Sequence, residues 1–157
     1  MAKINRIERL RKEMVEKDLD AILILSSENR AYFSGFRGSA GYLWVTPTDA
    51  MLATDFRYTE QAAVEASDYR VVRITGSLDW FEEAVSSSNA RRIGFEDNTV
   101  TVSFHAALQE KLTTRDPAPT LVPTGGMASQ LRAIKEPDEL TVIQRAIDLA
   151  DQAIELV

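Results

Sequence analysis

Residues 3–18 carry apolar side chains at helical spacing. Ile4, Ile7, Leu10, Met14 and Val15 recur at three- and four-residue steps, while Arg6, Arg9, Lys12, Glu13 and Glu16 fill the other face. Ala21–Leu25 is a continuous apolar run of strand length, the pattern of a strand covered on both faces. Ser26-Ser27-Glu28-Asn29 then supplies capping chemistry for a short helix through Phe33, followed by the glycine-rich loop Gly35–Gly41. Tyr42–Thr46 and Ala50–Thr54 read as strands joined by the turn residues Pro47-Thr48-Asp49.

The pattern continues with a helix over Phe56–Ala66 capped by Thr54 or Asp55, and a valine-rich strand over Tyr69–Ile74. Ser77 is expected to cap a helix over Leu78–Ser87. Arg92–Phe95 reads as a strand, Val102–Leu112 as a helix, and Thr120–Val122 as a strand. A brief helix near Met127–Ala133 follows Gly125-Gly126. Strands alternating with helices predict an α/β domain, and the hairpin makes its sheet of about six strands mixed rather than purely parallel.

The last segment differs. Pro137 suits a first helical position, and Asp138 and Glu139 place negative charge at the helix start. Leu140, Ile143, Ile147, Ala150, Ile154 and Val157 form a stripe that must be buried against something. It stops without Gly, Asn or a capping signal, so the expectation is a helix cut in mid-pattern and a chain that is a fragment.

Charge and composition narrow the function classes. The 157 residues hold 18 Lys+Arg against 24 Asp+Glu, a net charge of −6. That argues against nucleic acid, whose phosphates call for clustered basic groups. Residues 1–17 hold six basic and three acidic side chains, which read as a solvated helix face. No apolar run approaches the ~20 residues of a membrane span, and the charged N-terminus lacks a secretory h-region. Cysteine is absent, so no disulfide, thiolate zinc site or Cys nucleophile exists, which fits a cytoplasmic location.

Candidate chemistry is sparse. The loop spacing is G-x-x-G-x-x-G, matching neither dinucleotide nor P-loop patterns, and it leads into a strand rather than a helix N-terminus. Its glycines read as positions of positive φ or close backbone approach. Gly38-Ser39-Ala40-Gly41 is one residue off the nucleophile elbow. His105, the one histidine, reads as a packed or surface residue. The adjacent pairs Glu82-Glu83 and Glu96-Asp97 point to different faces, and nothing singles out an acid/base carboxylate. The most pointed group is Asp55-Phe56-Arg57-Tyr58 at a strand-to-helix junction. Arg57 and Tyr58 could face a carboxylate or a partner surface, although Asp55 and Arg57 holding the helix entry is the favoured reading.

Several stretches, in order, resemble the N-terminal domain of the creatinase, Xaa-Pro dipeptidase (prolidase) and aminopeptidase P family. They are Arg6–Met14, Asp20–Leu25, Asn29–Phe36, Gly38–Gly41, Thr54–Tyr58 and the tail Leu131–Leu140 (LRAIKEPDEL). Phe33-Ser34 departs from the commoner Leu-Thr. The resemblance implies a mixed sheet flanked by helices with ribonuclease H-like topology over 1–134. Residues 135–157 would then be the passage into, and first helix of, a downstream catalytic domain.

In relatives that second domain holds two divalent metals (Mn, Co or Zn) on two Asp, one His and two Glu and cleaves the bond before proline, so this chain would hold no cofactor and no catalytic residue. The resemblance further implies a homodimer and short proline-containing peptides as the parent's substrates. Phe36 and Arg37 would lie on a loop reaching the neighbouring subunit's substrate, with Asp55, Arg57 and Tyr58 structural or in the site wall. The alternative is an interaction module from a member that has lost catalysis.

Overall fold

The computed structural model describes residues 2–155, with side chains from Arg6 onward, so Ile4 and Val157 of the two stripes lie outside the described side chains. Helix α1 spans Ala2–Glu16 and ends before Asp18, which takes a left-handed conformation at φ 53°. Strand β1 (Ala21–Ile24) is fully buried. Helix α2 (Ser27–Ser34) is capped by Ser26, whose hydroxyl accepts from the Asn29 N–H, and it ends on Gly35 at φ 81°. Strands β2 (Tyr42–Val45) and β3 (Ala50–Thr54) form the expected hairpin.

Asp55 caps a single 3₁₀ turn, Phe56–Tyr58, before helix α3 (Thr59–Glu65), so the single helix expected over 56–66 is two pieces. The cause is local: Asp55 Oδ1 accepts from the Arg57 N–H two residues on, which closes a tighter turn than an α-helical start. Strand β4 (Arg70–Arg73) follows. Helix α4 covers Asp79–Ser88, and its N-cap position is Leu78 without a side-chain cap. The Ser77 hydroxyl, expected as the cap but one residue before that position, donates to the Asp79 carboxylate at 2.7 Å and accepts from the Asp79 N–H at 3.5 Å. Strand β5 (Arg92–Phe95), helix α5 (Val102–Leu112), strand β6 (Thr120–Pro123), helix α6 (Met127–Ala133) and helix α7 (Pro137–Glu155) complete the chain.

The sheet order is β4-β3-β2-β1-β5-β6. β2 is antiparallel to both neighbours and every other pairing is parallel, so the sheet is mixed. Successive residues serve opposite faces. Ile22, Ile24, Leu43, Val45 and Leu52 pack with Ile7, Leu10 and Met14 of α1 and Tyr32 and Phe33 of α2. Leu23, Trp44, Met51, Ile93 and Phe95 pack with Trp80, Phe81, Val85, Leu108 and Leu112 of α4 and α5. The result is three layers, with both faces of the central strands dry.

α7 stands apart from these layers. Its first turn is pinned: Arg6 donates to Glu136 at 2.7 Å and lies 3.5 Å from Glu139, and Arg9 lies 3.6 Å from Glu136. None of its described residues is buried. Leu140, Ile143 and Ile147 are 54%, 41% and 46% exposed, so the stripe seen in the sequence finds no cover among the described residues.

Candidate functional site

All parallel strands present their carboxyl ends at one edge of the sheet, where open α/β sheets place their ligand-binding loops. The glycine loop after α2 and the Asp55–Tyr58 turn after β3 meet there. Ser39 Oγ and the Tyr58 hydroxyl share a hydrogen bond of 2.7 Å, and Thr54 Oγ1 donates to the Ala40 carbonyl at 2.6 Å. The Arg37 N–H donates to Glu65 Oε2 at 2.8 Å. The structure therefore brings together two groups that sit about 20 residues apart in sequence.

Within the loop the two expected site residues part company. The Phe36 ring is fully buried, edge-on to Tyr58 with centroids 6.0 Å apart. Gly38 sits on that ring so closely that a Cβ there would come within 2.2 Å of Phe36 Cζ. Phe36 anchors the loop, so a role in which its ring reaches outward does not fit this packing. Arg37 is exposed. Its side chain helps line a cleft of about 360 Å³ with Arg6, Glu28, Tyr32, Arg132 and Glu139.

The turn is self-contained. Arg57 donates from Nε to Asp55 Oδ1 at 3.1 Å and from Nη2 to Oδ2 at 2.6 Å, a bidentate clasp. That guanidinium holds the Asp55 carboxyl below its usual range. Asp55 spends its oxygens on the turn and on Arg57. His105 lies on α5 with its ring 5.1 Å from Phe95. Its element follows β5, which β2 and β1 separate from β3, so His105 and Asp55 do not form one site.

Two buried polar residues beneath the loop carried no signal in the composition or the spacing. Glu96, 2% exposed, accepts from the backbone N–H groups of Leu25 (2.5 Å) and Ser26 (2.7 Å), from Ser26 Oγ, and from Asn29 Nδ2. Arg30, also 2% exposed, donates to three backbone carbonyls around the loop, and burial pulls its pKa down. The available cue was position: Glu96 ends a strand and Arg30 lies inside a helix that leads to a glycine loop. Burial of Tyr42, stacked on Trp80 and Phe104, raises its hydroxyl pKa.

Among the described residues no three His, Asp or Glu side chains gather into a group that could hold a metal ion. The described residues therefore do not fit a dinuclear centre. No described helix is long and apolar enough to cross a membrane.

A mixed six-stranded sheet covered by helices on both faces, with a glycine loop at the carboxyl ends of its parallel strands, defines an α/β domain. Residues 6–134 match the creatinase/prolidase N-terminal domain model, and the chain belongs to that family. It is 34% identical over 149 residues to the uncharacterized peptidase YqhT of Bacillus subtilis, covering 94% of this chain and 41% of YqhT.

An Xaa-Pro dipeptidase from Bacillus anthracis superposes with a TM-score of 0.90 at 33% identity, covering 98% of this chain and 42% of that one. The separately solved N-terminal domain of the cytoplasmic peptidase PepQ from Mycobacterium tuberculosis H37Rv gives a TM-score of 0.75 at 34% identity, covering 81% and 98%. The chain thus spans about two-fifths of the length of YqhT and of the dipeptidase.

Proposed function

We propose that residues 1–134 are the non-catalytic N-terminal domain of an Xaa-Pro peptidase. Residues 135–157 pass into its downstream catalytic domain, and α7 is the first helix of that domain. The domain's work is to build a homodimer and to wall the substrate entrance, with Arg37 offering a guanidinium fork to the carboxylate of a short proline-containing peptide. The parent's two divalent metals (Mn, Co or Zn) belong to the downstream domain, and the protein works in the cytoplasm.

One observation carries this reading. Arg37 of the loop and Val142 and Ile143 of α7 line the same cleft, about 590 Å³ in volume, together with Arg6, Arg132 and Lys135. The loop and the exposed apolar face of α7 lie side by side, which supports this reading. The apolar face of α7 is the surface that a following domain would cover, and the dipeptidase relative, which includes the equivalent of 98% of this chain, is more than twice as long.

The test is hydrolysis of an Xaa-Pro dipeptide with added Mn²⁺ by this chain and by the same chain extended downstream. Turnover by the extended form alone is expected. Turnover by the short chain, freed of contaminating peptidase, would overturn the proposal, and an inactive extended form that still binds peptide would replace it with the interaction-module reading.

A further inference from the structure

The access role of the loop explains Arg37 but not what lies beneath it. Arg30 carries its charge into the body, and its fork closes on backbone: Nη1 donates to Gly41 O at 2.6 Å and to Leu25 O at 3.2 Å, and Nη2 donates to Gly38 O at 2.6 Å. Its Nε has no hydrogen-bond partner. Burying a guanidinium is costly unless its donors are met, and the usual answer is a carboxylate. Here loop carbonyls take that place.

A planar fork suits this geometry, because it meets two carbonyls three residues apart and a third at the strand end. A lysine would place one point charge where the fork spans a gap. The Leu25–Ser26 peptide is gripped from both sides, since the Ser26 N–H donates to Glu96 and the Leu25 carbonyl accepts from Arg30. Through that peptide the loop is keyed to the end of β1, and through Glu96 to β5. The outer side of the loop is held separately, by Glu65 on the Arg37 N–H and by Tyr58 on Ser39.

We propose that Arg30 is the positioning residue of this loop: it fixes the backbone on which Arg37 is presented to the cleft. The proposal rests on the access-loop reading of Arg37 for its functional consequence, and on the carbonyl contacts alone for the positioning.

Three readings test it. In this chain, Arg30→Lys should speed amide exchange at residues 37–42 by roughly tenfold or more while β1 and β5 amides change far less. In the downstream-extended protein, the same variant should raise KM for an Xaa-Pro dipeptide on the order of tenfold with kcat within about twofold. Combined with Arg37→Ala it should add nothing further, because both act on one group. Should Arg30→Lys fail to fold, the unaltered protein still decides: clamped Nη groups give separate, slowly exchanging guanidinium proton signals.

Unchanged loop exchange, uniform acceleration of all amides, additive KM effects, or a freely rotating Arg30 guanidinium would each overturn the proposal. If Arg37→Ala leaves KM unchanged, the access reading fails by itself, and the exchange pattern still reports on Arg30.

Discussion

The glycine loop and α7 border the same cleft, yet they are ordered by opposite means. The loop has little regular structure but is tied at nearly every residue. The Phe36 ring sits under Gly38, Arg30 holds Gly38 and Gly41, Thr54 holds Ala40, and Tyr58 holds Ser39. α7 is regular over 19 residues but, among the described residues, tied only at its start, through Arg6, Arg9, Glu136 and Glu139, and its apolar face is open. Regular hydrogen bonding and tertiary anchoring are thus independent properties. The irregular segment is held by tertiary contacts, and the regular helix leaves its apolar face exposed.

The sharpest way to break this contrast is to make comparable truncations in the two environments. Phe81→Ala, on the buried face of α4, should destabilise the domain by about 3–5 kcal/mol in urea unfolding. Ile147→Ala, on the exposed face of α7, should change the same transition by less than about 0.5 kcal/mol. A large cost for Ile147→Ala would mean that the helix already has a core.

The polar base of the loop gives the next effect. Glu96→Ala orphans the Leu25 and Ser26 N–H groups and should cost about 3 kcal/mol by the same measurement. Glu96→Gln keeps an oxygen for those two donors. Asn29, whose Oδ1 has no partner, can turn its amide to accept from the new NH₂ group, so the cost should fall to about 1 kcal/mol. Equal costs for the two variants would mean that the charge, not the donor accounting, holds this base together.

The smallest effect is on acid stability. Asp55, held by Arg57, and Asp79, held by the Ser77 hydroxyl and then Lys111, have carboxyl pKa values below their ordinary ones. A depressed folded-state pKa stabilises above the unfolded value, near pH 4, and that contribution is lost as pH falls through the folded value. Thermal midpoints measured between pH 5 and pH 2 should therefore drop, and Asp55→Asn should shallow the drop slightly, since both groups are exposed and screened. A steeper drop in the variant would reverse the assigned sign.

What was legible in the sequence follows from the same contrast. Apolar periodicity is local, so β5, α5, α6 and the stripe of α7 could be read directly, and so could the mixed sheet. Periodicity says which face seeks cover, not what provides it, and α7 shows the limit. Polar contacts over long separations leave no periodic trace. Glu96 reaches back 70 residues to Ser26, and it stood in the chain as one of an undistinguished pair of acids. Arg30 looked like any helix cation until the loop carbonyls closed on it. Ser77 falls one residue before the N-cap position, which Leu78 takes, and its hydroxyl engages only the Asp79 carboxylate and N–H among the described residues.

The most direct test of the central claim is amide exchange along α7 in this chain and in its downstream-extended form. The account predicts rapid exchange over residues 143–155 in the short chain and protection at least ~100-fold greater in the extended protein. Residues 37–42 and β1 should be equally protected in both. Equal exchange of α7 in the two proteins would contradict the claim that this helix belongs to a second core.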